Sequence, residues 1–186
     1  MKLELRHLAP YLPYKLKGRF KLKDVVNTYK DEVREKELNT DSATFFLLYC
    51  KPILRPLSDM IIDITSNGKT VVPMIEILKI SEPYSAFTLD DIDRLRLKIT
   101  HEHYSTSIGE TDTYTAEYVI KTGNMGDLTH HFQYWEQLQR FSKRDVTRDV
   151  TLGTARQLEM FQKLFEYHFD VFGLIEQGLA IDINIM

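Results

Sequence analysis

The residues best placed to do chemistry are two histidines separated by one residue, His101 and His103. On a strand, alternate side chains share a face about 7 Å apart, a separation across which two imidazoles can reach one metal ion. A complete site needs a further ligand, and the candidates are His130, His131 and the His168/Asp170 pair. One reading of the chain is therefore a small metal-dependent enzyme, hydrolase-like, built around His101 and His103. The competing reading puts both rings at the drying edge of a sheet, beside Ala116 and Tyr114. His168 and Asp170 could also be a base and its orienting acid, but positions i and i+2 on a helix face different ways. His168 reads better as a rim histidine bonded to a carbonyl. Cys50 closes an aromatic run with no histidine near it, the pattern of a buried, inert thiol. No phosphate-binding glycine loop, dinucleotide fingerprint, serine elbow or His-Glu-x-x-His zinc motif occurs, so the sequence points to no cofactor.

The second chemical pattern is electrostatic. Lys15, Lys17, Arg19, Lys21 and Lys23 occupy odd positions, and Leu16, Phe20 and Leu22 even ones. A period of two predicts a strand over 15–23 with its cations on one face and its apolar side chains on the other. That stripe, about 30 Å long, could follow a phosphate backbone. Tyr11, Tyr14 and Tyr29 flank it and could stack on bases. An acidic protein would satisfy the same charges. So would the chain itself: residues 1–36 hold ten Lys/Arg against five acids, and the other 150 residues hold fourteen against twenty-two. Edge lysines also guard a sheet against edge-to-edge aggregation. The net charge of −3 and pI near 6.1 weigh against a dedicated nucleic-acid binder. Arg55, in Lys51–Asp59, either fixes an architectural corner between Pro52 and Pro56 or presents itself with Asp59 to a ligand.

The elements that position these residues fit one globular domain spanning 1–186. Hydrophobic residues make up 43% and charged residues 27%, the balance of a chain that buries a core. A single cysteine excludes an internal disulfide and a cysteine-based metal site. Met1–Pro10 lacks the apolar stretch of a secretion signal, and apolar runs such as Phe45–Tyr49 fall far short of the roughly 20 residues of a membrane helix. The expectation is a cytoplasmic protein with no membrane partner, free to form homo-oligomers.

The fold class expected is α+β, a mostly antiparallel sheet with two long amphipathic helices in the C-terminal third. Leu3 to Leu12 predict a short helix or turn that Pro10 and Pro13 interrupt. Thr44–Cys50 reads as a buried strand, Leu57–Ile64 as a helical turn, and Ser66-Asn67-Gly68-Lys69 as a tight turn. Thr88 with Asp91 marks a helix start. Leu95 to His103 and Tyr114 to Ile120 predict a hairpin about Ser107-Ile108-Gly109, pairing Leu97 with Ile120, Ile99 with Tyr118, His101 with Ala116 and His103 with Tyr114. Leu128, Phe132, Trp135, Leu138 and Phe141 predict one helix; Leu158 to Phe172, closed by Gly173, predict the other. The doubled Arg-Asp-Val-Thr of 144–151 between them reads as a solvated linker.

Three stretches carry a family likeness. Leu8-Ala9-Pro10-Tyr11-Leu12-Pro13-Tyr14-x-Leu16-Lys17, Lys51-Pro52-Ile53-Leu54-Arg55-Pro56-Leu57-Ser58-Asp59 and the tail, His168 to Ile175 then Gly178 to Asn184, resemble motifs of small proteins encoded by bacteriophages and prophages of gut bacteria. The chain departs from that pattern at Lys15, where glycine is expected, and at Tyr167, where tryptophan is expected. The resemblance implies a mobile-element origin and a bacterial host cytoplasm; it implies no activity. The leading expectation is a non-enzymatic accessory protein that binds nucleic acid or an acidic protein through Lys15, Lys17, Arg19, Lys21 and Lys23, with Arg55. The alternatives are the His101/His103 metalloenzyme and a structural or assembly component of a virion.

Overall fold

A computed structural model describes residues 2–26, 32–81, 98–106, 109–121, 126–154 and 156–186, the side chains of Thr106, Ile120 and Lys121 excepted. The chain begins with α1 (Leu5–Leu8), a 3₁₀ turn (Ala9–Tyr14), β1 (Lys17–Lys21), α2 (Leu22–Val25), β2 (Val33–Glu37), α3 (Ala43–Tyr49) and β3 (Lys51–Leu54). A second 3₁₀ turn (Leu57–Ile61), β4 (Ile64–Ser66), β5 (Lys69–Val71) and α4 (Pro73–Ser81) follow. Then come β6 (Lys98–Thr106), β7 (Gly109–Lys121), β8 (Asp127–Trp135), β9 (Arg140–Asp145), β10 (Val150–Leu152), α5 (Gln157–Glu166) and β11 (Ile181–Asp182). The class is α+β with mostly antiparallel sheets. The chain divides into two compact units, Met1–Leu57 with Gln162–Met186, and Ser58–Phe161.

In the first unit the sheet order is β11-β3-β1-β2, with β11 parallel to β3 and the rest antiparallel. Leu16, Gly18, Pro52 and Leu54 turn inward. Phe46 of α3 lies against Gly18 so closely that a Cβ there would stand 2.4 Å from its Cζ. Thr44–Cys50, expected as a strand, is helical up to Tyr49. A reciprocal Asn39/Ser42 turn launches it: Ser42 N–H donates to Asn39 Oδ1 at 2.8 Å and Asn39 N–H to Ser42 Oγ at 2.9 Å. Only Phe46 and Cys50, four apart, are fully buried there, while Leu48 and Tyr49 face out, which a strand's period of two cannot achieve.

Residues 8–14, 51–57 and the tail from 168 meet in this unit. Tyr11 donates its hydroxyl to the Phe169 carbonyl at 2.5 Å, and Arg55 and Phe169 form a parallel bridge. Ile181 and Asp182 pair with Ile53 and Leu54. Gly173 is not the cap of α5. Phe169 N–H reaches the Leu164 carbonyl and His168 N–H the Phe165 carbonyl, both at 3.0 Å, so His168 is the left-handed residue of the cap, at φ 59°. A side chain there costs about 1–2 kcal/mol relative to glycine. His168 offsets this by holding the Tyr14 carbonyl with Nε2 at 2.7 Å, as expected of a rim histidine. Lys15, where glycine is expected, is also left-handed, at φ 56°. Asp170, buried, accepts the amides of Leu174 and Ile175 and caps the turn that leads into the tail.

In the second unit a sheet runs β10-β9-β8-β7-β6, all antiparallel, and a separate β4/β5 hairpin turns at Asn67 and Gly68 as expected. The helix expected over 128–141 is the β8/β9 hairpin. Leu128, His130, Phe132 and Tyr134 are buried in alternation, and Gln139 at φ 44° makes the turn. Positions 128 and 132 satisfy both periods; burial of His130, counted as polar in the sequence, decides for the strand. One long helix, α5, therefore stands where two were expected, and its Phe161 meets Tyr134 and Phe141 edge-on. The 144–151 segment is the β9/β10 turn rather than a linker. Asp145, almost fully buried, accepts the Arg148 amide at 3.0 Å. The β6/β7 hairpin forms, but its register is two residues from that expected: Ile99 pairs with Ala116, His101 with Tyr114, and His103 with Asp112. A slip of two keeps every side chain on its face, so the sequence pattern cannot sense it. Leu95, Leu97, the Thr88/Asp91 helix start and the 107–108 loop lie outside the described residues.

Candidate binding cleft

The basic strand forms, but shorter than expected. Lys17, Arg19 and Lys21 lie on β1; Lys15 sits in the left-handed turn before it, and Lys23 on α2 after it. Alternation holds from Leu16, fully buried, to Lys21, exposed, then ends when Leu22 turns helical. The five cations therefore do not form one straight row. Strand β2 also brings its own acids to that row. Glu37 pairs in register with Lys17 and Glu35 with Arg19, whose Nε donates to Glu35 at 3.1 Å. This exposed pair contributes about 0–1 kcal/mol and leaves Arg19 able to exchange partners.

What the sheet builds instead is a cleft of about 270 Å³. Arg19, Lys21 and Lys51 supply cations, and Asp24 one carboxylate; Tyr49, Phe20, Val33 and Ile181 supply the apolar wall. Register explains the gathering: β3 runs antiparallel to β1 and places Lys51 opposite Arg19, adding a second strand's cation to the same face. Tyr49 ends α3 one residue before Cys50 begins the extended run into β3, and remains 39% exposed. Phe20 is held edge-on against Phe45 at 5.1 Å, so that wall is fixed. Cationic groups set on an apolar, partly enclosed wall attract anions more strongly than the same groups in open solvent.

Lys51, Tyr49 and Asp24 are the contributors the sequence reading missed. Lys51 opens the very segment from which Arg55 was selected. A pairing partner for 51–54, unknowable from the local pattern, would have been needed to place it. Arg55 itself lies away from the cleft lining, in the backbone bridge to Phe169, where its charge helps lower the His168 pKa after burial has done most of that work. Of the tyrosines expected to stack on bases, Tyr11 is fully buried in the core, against Phe165 at 5.0 Å, and is unavailable to a ligand; Tyr29 is outside the described residues.

His101 and His103 do share an edge of the five-stranded sheet. Both face Asp112: His103 Nδ1 lies 2.7 Å and His101 Nε2 3.4 Å from the same Oδ1. The bond to Asp112 raises the His103 pKa above the ordinary imidazole value. His101 stacks flat on Tyr114 at 4.7 Å. Of the proposed third ligands, His130 is buried beside Asp145, His131 bonds Glu117 at 2.8 Å, and His168 is in the other unit. Among the described residues, no group of three His, Cys, Asp or Glu is arranged to hold a metal ion. Cys50 is buried and its thiol is pushed up to about 11 by desolvation, so it is protonated at neutral pH. Among the described residues no helix is long and apolar enough to cross a membrane.

Comparison with protein-family models, curated proteins and solved structures finds no match to this chain.

Proposed function

We propose that this protein is a non-enzymatic binding module that holds single-stranded nucleic acid on the β1/β3 face. The observation that carries the reading is the meeting of Arg19, Lys21 and Lys51 with the exposed Tyr49 ring at one cleft. Cations along a groove track phosphates, and an aromatic face accepts any base, so together they suit a single strand better than an acidic peptide. The sequence likeness to phage-encoded proteins supports an accessory role in a bacterial host cell.

Three phosphate contacts predict a salt slope of about −2 for a single strand, which is a loss of about twentyfold in affinity between roughly 50 and 200 mM salt. Fluorescence anisotropy with a labelled single-stranded oligonucleotide tests this. The Lys21→Ser/Lys51→Ser variant should bind more weakly and flatten the slope by about 0.7 for each charge removed. No saturable binding at the lower salt, or a variant indistinguishable from wild type, would overturn the reading. Equal displacement of the strand by polyglutamate would replace it with an acidic protein partner.

A further inference from the structure

The cleft contains a group that a phosphate-binding surface does not need. Asp24, exposed on α2, lines it together with Arg19, Lys21 and Lys51. An ionised carboxylate only accepts hydrogen bonds, and it repels phosphate. Its presence in the same lining as the cations and the apolar wall therefore favours a guest that is anionic and also offers a hydrogen-bond donor. The volume of about 270 Å³, just below the range of about 300–1,000 Å³ for drug-sized ligands, suits a guest group the size of a nucleobase.

We propose that the cleft receives one unpaired nucleobase bearing an exocyclic amine. The amine donates to Asp24, the ring lies against Tyr49 and Phe20, and the flanking phosphates rest on Arg19, Lys21 and Lys51. The proposal rests on the nucleic-acid reading above and deepens it from a surface that tolerates any base to one that selects. Cytosine and thymine give the cleanest contrast because both are single rings. Cytosine presents an amine at C4, for which aspartate is a matching acceptor; thymine presents a carbonyl there, which would meet the carboxylate lone pair to lone pair. A base inside a duplex has both faces stacked on its neighbours and cannot lay its ring against Tyr49 and Phe20, so paired strands are excluded from the cleft.

The experiment compares labelled oligodeoxycytidylate and oligodeoxythymidylate of equal length, about 15 nucleotides, by anisotropy at low salt. Wild type should bind the cytosine strand about tenfold more tightly. Asp24→Asn keeps the side chain's size at an exposed position but replaces one acceptor oxygen with a donor, and should bring that ratio close to one. Lys51→Ser should weaken both strands together and leave the ratio intact. Equal binding of the two strands by wild type, or an undiminished preference in Asp24→Asn, would overturn base selection while leaving the strand-binding reading standing. If neither strand binds, base selection and the strand-binding reading both fall.

Discussion

Gly18 offers the sharpest test of how the first unit is assembled. Its backbone is ordinary extended strand on β1, so alanine there meets no conformational penalty and the whole effect is steric. The added methyl would lie 2.4 Å from Phe46 Cζ, 2.9 Å from Cε1 and 3.0 Å from the Lys51 carbonyl oxygen. Carbon atoms rest about 3.5–4.0 Å apart, so the ring must move by more than about 1 Å. Phe46 is fully buried in the cluster with Leu16, Leu54 and Leu174, and the Lys51 carbonyl belongs to the paired strand β3. Neither gives way freely. Gly18→Ala should therefore destabilise the protein by about 1–3 kcal/mol, toward the upper end, and lower its melting temperature by about 4–10 °C. Urea unfolding followed by far-ultraviolet circular dichroism measures it. Phe46→Leu, which removes the clashing ring edge at its own packing cost, should rescue: the double variant should be at least about 1 kcal/mol more stable than the two single losses predict. An alanine variant within about 0.5 kcal/mol of wild type, or strictly additive losses, would refute the contact.

Two further outcomes follow from the seam between the N-terminal turn and the tail. Tyr11→Phe removes the buried bond to the Phe169 carbonyl, but that oxygen still accepts the Val171 amide at 3.0 Å; the loss in urea unfolding should be about 0.5–1.5 kcal/mol, and a neutral variant would count against the bond. Burial holds the His168 pKa below the ordinary value of 6.5, so the unfolded chain takes up its proton first as pH falls. Stability from His168 is then complete above about pH 6.5 and declines below it, toward the lower folded value. His168→Asn, with a residue that tolerates the left-handed cap, should lose that pH dependence; an unchanged stability gap between the two proteins from pH 8 to pH 5 would refute it.

Several local features of this protein are legible in its sequence, and the misread segments share a cause. The alternation from Leu16 to Lys21, the Asn67-Gly68 turn and the bonded His168 are read from local features, namely a period of two, positive φ and a histidine at the end of an apolar stripe. Phe46, Leu128 and Phe132 misled because short apolar runs satisfy a helix and a strand alike. The side chains that break the tie, Leu48 facing solvent and His130 facing inward, took those positions from packing and not from polarity.

The candidate site divides the same way. The chain's own order fixes that Arg19 and Lys21 share a strand face and that Lys51 begins an extended segment. That Lys51 lies opposite Arg19, that Glu35 lies beside it, and that Tyr49 and Asp24 border one cleft are products of strand pairing. Backbone hydrogen bonds are nearly alike at every residue and so cannot by themselves choose a strand's partner or register; packing of side chains distant in the chain makes that choice. Sequence alone thus determined which groups could act on an anion, and only the tertiary structure decided which of them stand together.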